Sequence, residues 1–381
     1  MNISIKNANQ MIDGLVERPP MSKRADHILN FCFAISVALT GVVCAIYTLQ
    51  FAAIADTLDS RQIFTSSIYI AMLTLSAAGC LAIVVYNFST HMKAIRIIAR
   101  ITMVLLLIDF VMCIAISGLH PLELVYLFQI GSLIVFQLYT DQKLARNSTF
   151  SSPWDMSKDK DRSSYIPLNF FNIFWVFLIS SILGLVVEVI YHALVFGGYQ
   201  DRAGMLWGPF SPIYGFGAVL ITIALNRFWN RNGLIIFLIA GIIGAAFEFF
   251  VSFFMETAFG IVAWDYSGTF LNIQGRTNFA FFCAWGLLGV VWIKLILPTV
   301  LRVVDAIPLK LRAGLTVIFA LFMIADGVMT MATLDSWYKR QANEPAITSV
   351  EKFCEKHYDD EFMENRFESM SIDPDLSSRI H

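Results

Sequence analysis

The sequence predicts an all-α protein: a polytopic transmembrane helix bundle of about nine spans, with its N-terminus in the cytoplasm. Composition, the length of the apolar runs and the distribution of basic residues predict it. Hydrophobic residues make up 57% of the 381 residues and charged residues 15%, against about 25% charged in a soluble domain. Mean hydropathy is +0.65. Several apolar runs exceed about 18 residues, the length that crosses a bilayer as helix. Lysine and arginine also alternate between the polar connections.

The runs place helices at about 30–54, 67–88, 97–117, 121–140, 167–196, 208–227, 233–257, 277–298 and 313–334. The first 30 residues are polar and carry no cleavable signal, and the first apolar run is long enough to span and stay. Segment 1–29 and alternate loops after it hold 17 Lys and Arg, the opposite loops only Arg61, Arg202 and Arg276. The basic side is cytoplasmic. Residues 1–29 are then a cytoplasmic segment, 30–140 a four-helix membrane unit, 141–166 a polar cytoplasmic linker and 167–334 a five-helix membrane unit. The polar tail, 335–381, lies outside by parity, and VEKFCEKHYDDEFMENRF within it reads as one short amphipathic helix.

Composition also excludes classes. A net charge of −2 with no basic patch gives no sign of nucleic acid. Five of six cysteines fall in apolar runs and none forms CxxC, so they read as small hydrophobic side chains. No zinc or haem spacing appears, and no metal or cofactor is expected. No G-x-x-x-x-G-K-[ST] phosphate loop is present, so the chain holds no ATPase motif.

Acids inside spans are costly and mark candidate sites. They are Asp109, Glu188, Glu248 and Asp326, with Glu256 near a helix end. Asp109 and Asp326 read as interhelical hydrogen-bonding groups. Glu188 in GLVVE and Glu248 in GAAFE repeat G-x-x-x-E at an offset of 60 residues. Each is followed by an outer loop with one arginine, Arg202 or Arg276, and then a helix with early glycines. Predicted helices 5–6 and 7–8 therefore read as a parallel duplication with the two glutamates facing one another near its axis. Gly184 and Gly244 also allow close helix approach. His192 shares a helix face with Glu188, as a relay or a simple hydrogen bond.

The outer loops hold the remaining candidates. GMLWGPFSPIYGFG carries Gly204, Gly208, Pro209, Pro212, Tyr214, Gly215 and Gly217. Irregular backbone at membrane depth needs protein or a wet cavity to satisfy it, and both prolines suit a first helical turn. The helix start would favour an anion, with Arg202 just outside. AWDYSGTFLNIQGRTNF adds Asp265 and Arg276. The alternatives are a polar pocket, or an aromatic belt with Arg202 and Arg276 pairing Asp265 or Glu256.

RAGMLWGPFSPIYGFG, the pair Glu248 and Glu256, WDYSGTFLNIQGR, Trp285-Gly286 and HYDDEFMENRF together resemble the bacterial membrane family labelled putative ABC-transporter type IV, over about 165–381. Ala203 departs from that pattern, separating an arginine and glycine that are usually adjacent. The resemblance implies a permease of the bacterial plasma membrane and no catalytic set; any ATP-driven role would need a separate ATPase subunit, since the chain has no phosphate loop. Three functions stay open: a transport-type protein; an enzyme or lipid-handling protein of the outer leaflet using Glu256 or Asp265 as base; and a non-catalytic assembly or sensing protein.

Overall fold

The computed structural model describes residues 23–87, 92–120, 122–140, 165–166, 168, 170–368 and 370–380. The expected cytoplasmic segment 1–29 and linker 141–166 fall mostly outside these residues. Among the described residues the regular structure is helical, and seven helices are long and apolar enough to cross a membrane. Two shorter apolar helices cover Leu122–Gln137 and Pro212–Leu225. The chain forms two compact units: one runs to Ile116 and resumes at His120, the other takes Ser117–Leu119 and all that follows the linker.

Unit 1 contains α1 (Lys23–Ala53), α2 (Ser60–Asn87), α3 (Met92–Ser117) and α4 (Leu122–Thr140). Apolar side chains face outward on all four, as in lipid. Several buried polar groups instead bond across helices, since a bilayer offers no water to them. Ser76 donates to Asp109, Thr40 to Gln129 at 3.1 Å, and the Tyr69 and Tyr126 hydroxyls meet at 3.0 Å. Asp109 thus takes the interhelical role expected of it.

Unit 2 contains α5 (Phe170–Phe196), α6 (Pro212–Leu225), α7 (Gly233–Phe259), α8 (Phe279–Val291), α9 (Leu297–Ala306), α10 (Leu309–Gln341), α11 (Ser349–His357) and α12 (Asp360–Arg366). α5 packs on α6, α6 on α7, and α7 on α8. A π turn, Trp292–Ile296, joins α8 to α9. Pro298 follows it and has no N–H for an α-type bond, so the ladder shifts register there. Trp292 donates to Thr222 at 2.8 Å and Trp175 to Thr316 at 2.8 Å, tying the helices together.

Several expected boundaries are corrected. The sixth helix starts at Pro212, not near 208, because Pro209 lies in a compact loop and Pro212 takes the first helical position. The eighth continues past 298 through the π turn to Ala306. The ninth runs to Gln341, so Asp335 to Arg340 belong to a helix and not to a polar tail. The single tail helix is two: Asp359 accepts from the Phe362 N–H, capping α12 and breaking the run at Tyr358.

One end of unit 2 gathers the loops 197–211 and 260–278 and the tail. Gly260, at φ +63°, ends α7 so tightly that a Cβ would meet the Asp373 carbonyl oxygen at 1.9 Å. Ile261 pairs with Ile372, and Ser378 N–H reaches Thr257 O at 2.9 Å. Arg379 donates to Ala258 O at 2.6 Å, pairs with Asp335 at 2.7 Å and lies over the Tyr338 ring.

Candidate functional site

Glu248 is built by a missing side chain one turn earlier. A Cβ on Gly244 would meet Trp285 Cγ at 2.2 Å, so the indole of α8 lies on bare α7 backbone and against Glu248. The carboxylate is 5% exposed. It accepts from Tyr266 Oη at 3.0 Å and Thr277 Oγ1 at 2.9 Å. A buried acid at membrane depth needs such donors. Tyr266 stacks on Phe281 at 4.4 Å. Burial first, and then the Glu248 charge, push its hydroxyl above the ordinary range.

Glu188 has the same construction. A Cβ on Gly184 would meet Tyr214 Cγ at 2.2 Å, and Tyr214 of α6 lies against Glu188. Arg202 donates to one carboxylate oxygen from Nε at 3.0 Å and Nη2 at 2.7 Å, and from Nη1 to Gln200 at 3.1 Å. Each glutamate therefore has its own tyrosine, Tyr214 beside Glu188 and Tyr266 on Glu248. The two carboxylates do not bond each other: Glu188 takes Arg202, and Glu248 takes Tyr266 and Thr277.

Arg276 donates to Glu256 at 2.8 Å and Ser252 at 3.2 Å and lies over the Phe253 ring, while its Nε is buried without a partner. Both arginines are thus paired with helix carboxylates, Arg202 with Glu188 and Arg276 with Glu256. Asp265 stands apart. It is exposed and accepts from the Ser267 N–H at 2.8 Å, and the Ser267 hydrogen bonds hold its carboxyl below the usual range. It stabilises a turn and joins neither arginine. His192 bonds the Gly198 carbonyl at 3.1 Å.

The loop before α6 is held from three sides. Gly204 N–H bonds Phe210 O at 2.9 Å, and Gly208 turns the chain at φ +69°. Ser211 N–H reaches Ser181 O at 3.1 Å. From α10, Thr330 accepts from Leu206 N–H and Asp326 from Trp207 N–H, both at 2.9 Å. From the tail, Arg366 pairs with Asp201 at 2.7 Å and donates to the carbonyls of Met205 and Gly208. Past the loop, a Cβ on Gly215 would meet Ser181 Oγ at 2.2 Å, so α6 and α5 touch there; Gly217 faces Trp285. Sequence reasoning missed Arg366, Asp201, Thr330 and Thr277. No pattern in a single sequence links residue 366 to residue 201.

The paired glutamates, the held loop and the loop carrying Arg276 all lie in one stretch of chain. Residues 175–331 match the family described as putative ABC-transporter type IV. It is the family that the motifs resemble, and the matched region contains every candidate residue from Glu188 to Arg276. Arg366 lies beyond it. No curated protein and no solved structure matches the chain.

Proposed function

We propose that unit 2 is the transport-type part of a multi-pass protein of the bacterial plasma membrane. Its polar site comprises Glu188, Arg202, Tyr214, Tyr266, Glu248, Arg276 and Glu256, and it opens to the extracytoplasmic side. The family match and the apolar helices support the membrane transport class. Nine spans with the N-terminus inside would bring both site loops to the outer face, in keeping with the lysine and arginine distribution. A separate ATPase subunit would supply energy, since this chain has no phosphate loop.

The observation that carries the reading is the correspondence between two helix pairs. Gly184 under Tyr214 matches Gly244 under Trp285. A Cβ on Gly215 would also meet Phe177, and one on Gly286 would meet Phe237. The offset is 60 residues between α5 and α7 and 71 between α6 and α8 in every case. This favours a parallel duplication, the arrangement that places a substrate or ion site at the interface of repeats. Each half offers a carboxylate, an aromatic neighbour and an arginine close by.

Glu248→Gln keeps an acceptor for Tyr266 and Thr277 but removes the charge. Solute content and export should change in cells carrying it at wild-type membrane levels. Contents indistinguishable from wild type, and different from a strain lacking the protein, would remove Glu248 from the site.

A further inference from the structure

The loop between α7 and α8 presents three large apolar side chains at its surface, while several of its polar groups bond within the loop. Residues 266–275 contain no Asp, Glu, Lys or Arg. Thr269 donates to Tyr266 O, Asn272 to Thr269 O, and Asn278 to Thr269 Oγ1. Asn272 also accepts from the Gly275 N–H, and Ile273 N–H bonds Thr277 O. Beside the exposed Ser267, Thr269 and Gln274 stand three large apolar side chains, Phe270, Leu271 and Ile273, which are 73%, 64% and 58% exposed. Leu271 and Gln274 take left-handed backbone, at φ +47° and +54°. Such a conformation is unfavourable for a non-glycine residue and persists only where the surroundings fix it. Three large apolar side chains together on one loop tip form a patch that water does not favour.

Where the tip points follows from its contacts. The Phe270 ring meets Phe279 at 5.8 Å, and Phe279 stacks on Phe282 at 6.2 Å. Phe279 is the first residue of an apolar helix long enough to span, and it is itself 47% exposed. The tip therefore folds back to the level of the first helical turn instead of projecting away. It continues the outward apolar surface of α8, which faces lipid. Aromatic and apolar groups at that depth belong to the bilayer interface.

We infer that Phe270, Leu271 and Ile273 form an interfacial anchor that inserts into the headgroup layer of the surrounding bilayer, beside Tyr266 and Glu248. The occupant of this surface is lipid. The anchor fixes the depth of the loop whose next residues, Arg276 and Thr277, reach Glu256 and Glu248.

A diazirine analogue of leucine at position 271, in the full chain in membranes of its source lipid, tests this. A second label replaces the exposed Glu364 of α12 as a control. After illumination, intact mass should show a lipid adduct at 271 and mainly water addition at 364. Water addition at 271, or cross-linking of 271 to another protein, would overturn the inference. Equal lipid adduct at both positions would overturn it too, because the tip would then have no special contact. If the label at 271 blocks insertion into the membrane, the same reagent at Phe270 gives the same readout.

Discussion

Gly184 and Gly244 have no side chain because an aromatic ring already occupies the space. Alanine at either would bring a Cβ within 2.2 Å of Tyr214 or Trp285. Overpacking of that kind costs about 1–3 kcal/mol, more than the helix propensity that alanine gains. Each variant should melt earlier than wild type in detergent. Gly131 is the contrast, because a Cβ there would have no neighbour within 4 Å. Gly131→Ala should be neutral or slightly stabilising. Equal melting temperatures for G244A and G131A would contradict this packing.

Glu351 gives a pH dependence with a defined sign. Burial alone would raise its carboxyl, but the Lys339 ammonium and the N–H groups of Thr348 and Ile347 outweigh that and hold it at about 2. Its ordinary value is 4.5. A depressed carboxyl stabilises the fold fully above its unfolded value and loses that contribution as pH falls towards the folded one. Thermal stability should therefore drop between about pH 4.5 and pH 2, and the drop should be shallower in Glu351→Gln. Identical acid profiles would exclude a role for this group.

Among elements, the loop 201–211 depends on partners far away in the chain. Arg366 places a planar fork of donors on Asp201, Met205 O and Gly208 O, a geometry lysine cannot reproduce. Arg366→Ala should cost about 2–3 kcal/mol, from hydrogen bonds to a charged group and carbonyls left without a partner. Amide exchange at Leu206 and Trp207 should accelerate, and Arg366→Lys should recover only part of the protection. Unchanged exchange in R366A would show that Asp326 and Thr330 suffice.

The elements also show what sequence can carry. Apolar runs located the long helices because a span is one continuous local signal. Their ends were read less well: Pro209 and Pro212 are equivalent in a pattern, and only the bond from Gly204 N–H to Phe210 O shows that the first lies in the loop. The acids were legible because charge is rare in apolar runs. Their partners were less legible: the sequence offers Asp265 or Glu256 to Arg202 and Arg276, and while Arg276 takes Glu256, Arg202 takes Glu188. Tyr266 bonding Glu248, or Arg366 bonding Asp201, is a tertiary contact with no local mark.

At the scale of the whole molecule, the proposed topology puts residues 197–211 and 260–278 outside. Cysteine placed at the exposed position Ser267 should react with a membrane-impermeant maleimide in intact cells. Labelling only after the membrane is opened would invert the topology and move the site to the cytoplasm.

The central claim is an outer polar site that serves transport. Native mass spectrometry of the protein extracted in its own lipid, wild type beside Arg202→Ala, tests it most directly. The account predicts a stoichiometric ATPase subunit or a bound small molecule on the wild type, with the small molecule lost when Arg202 no longer pairs with Glu188. Bare protein in both samples would contradict it.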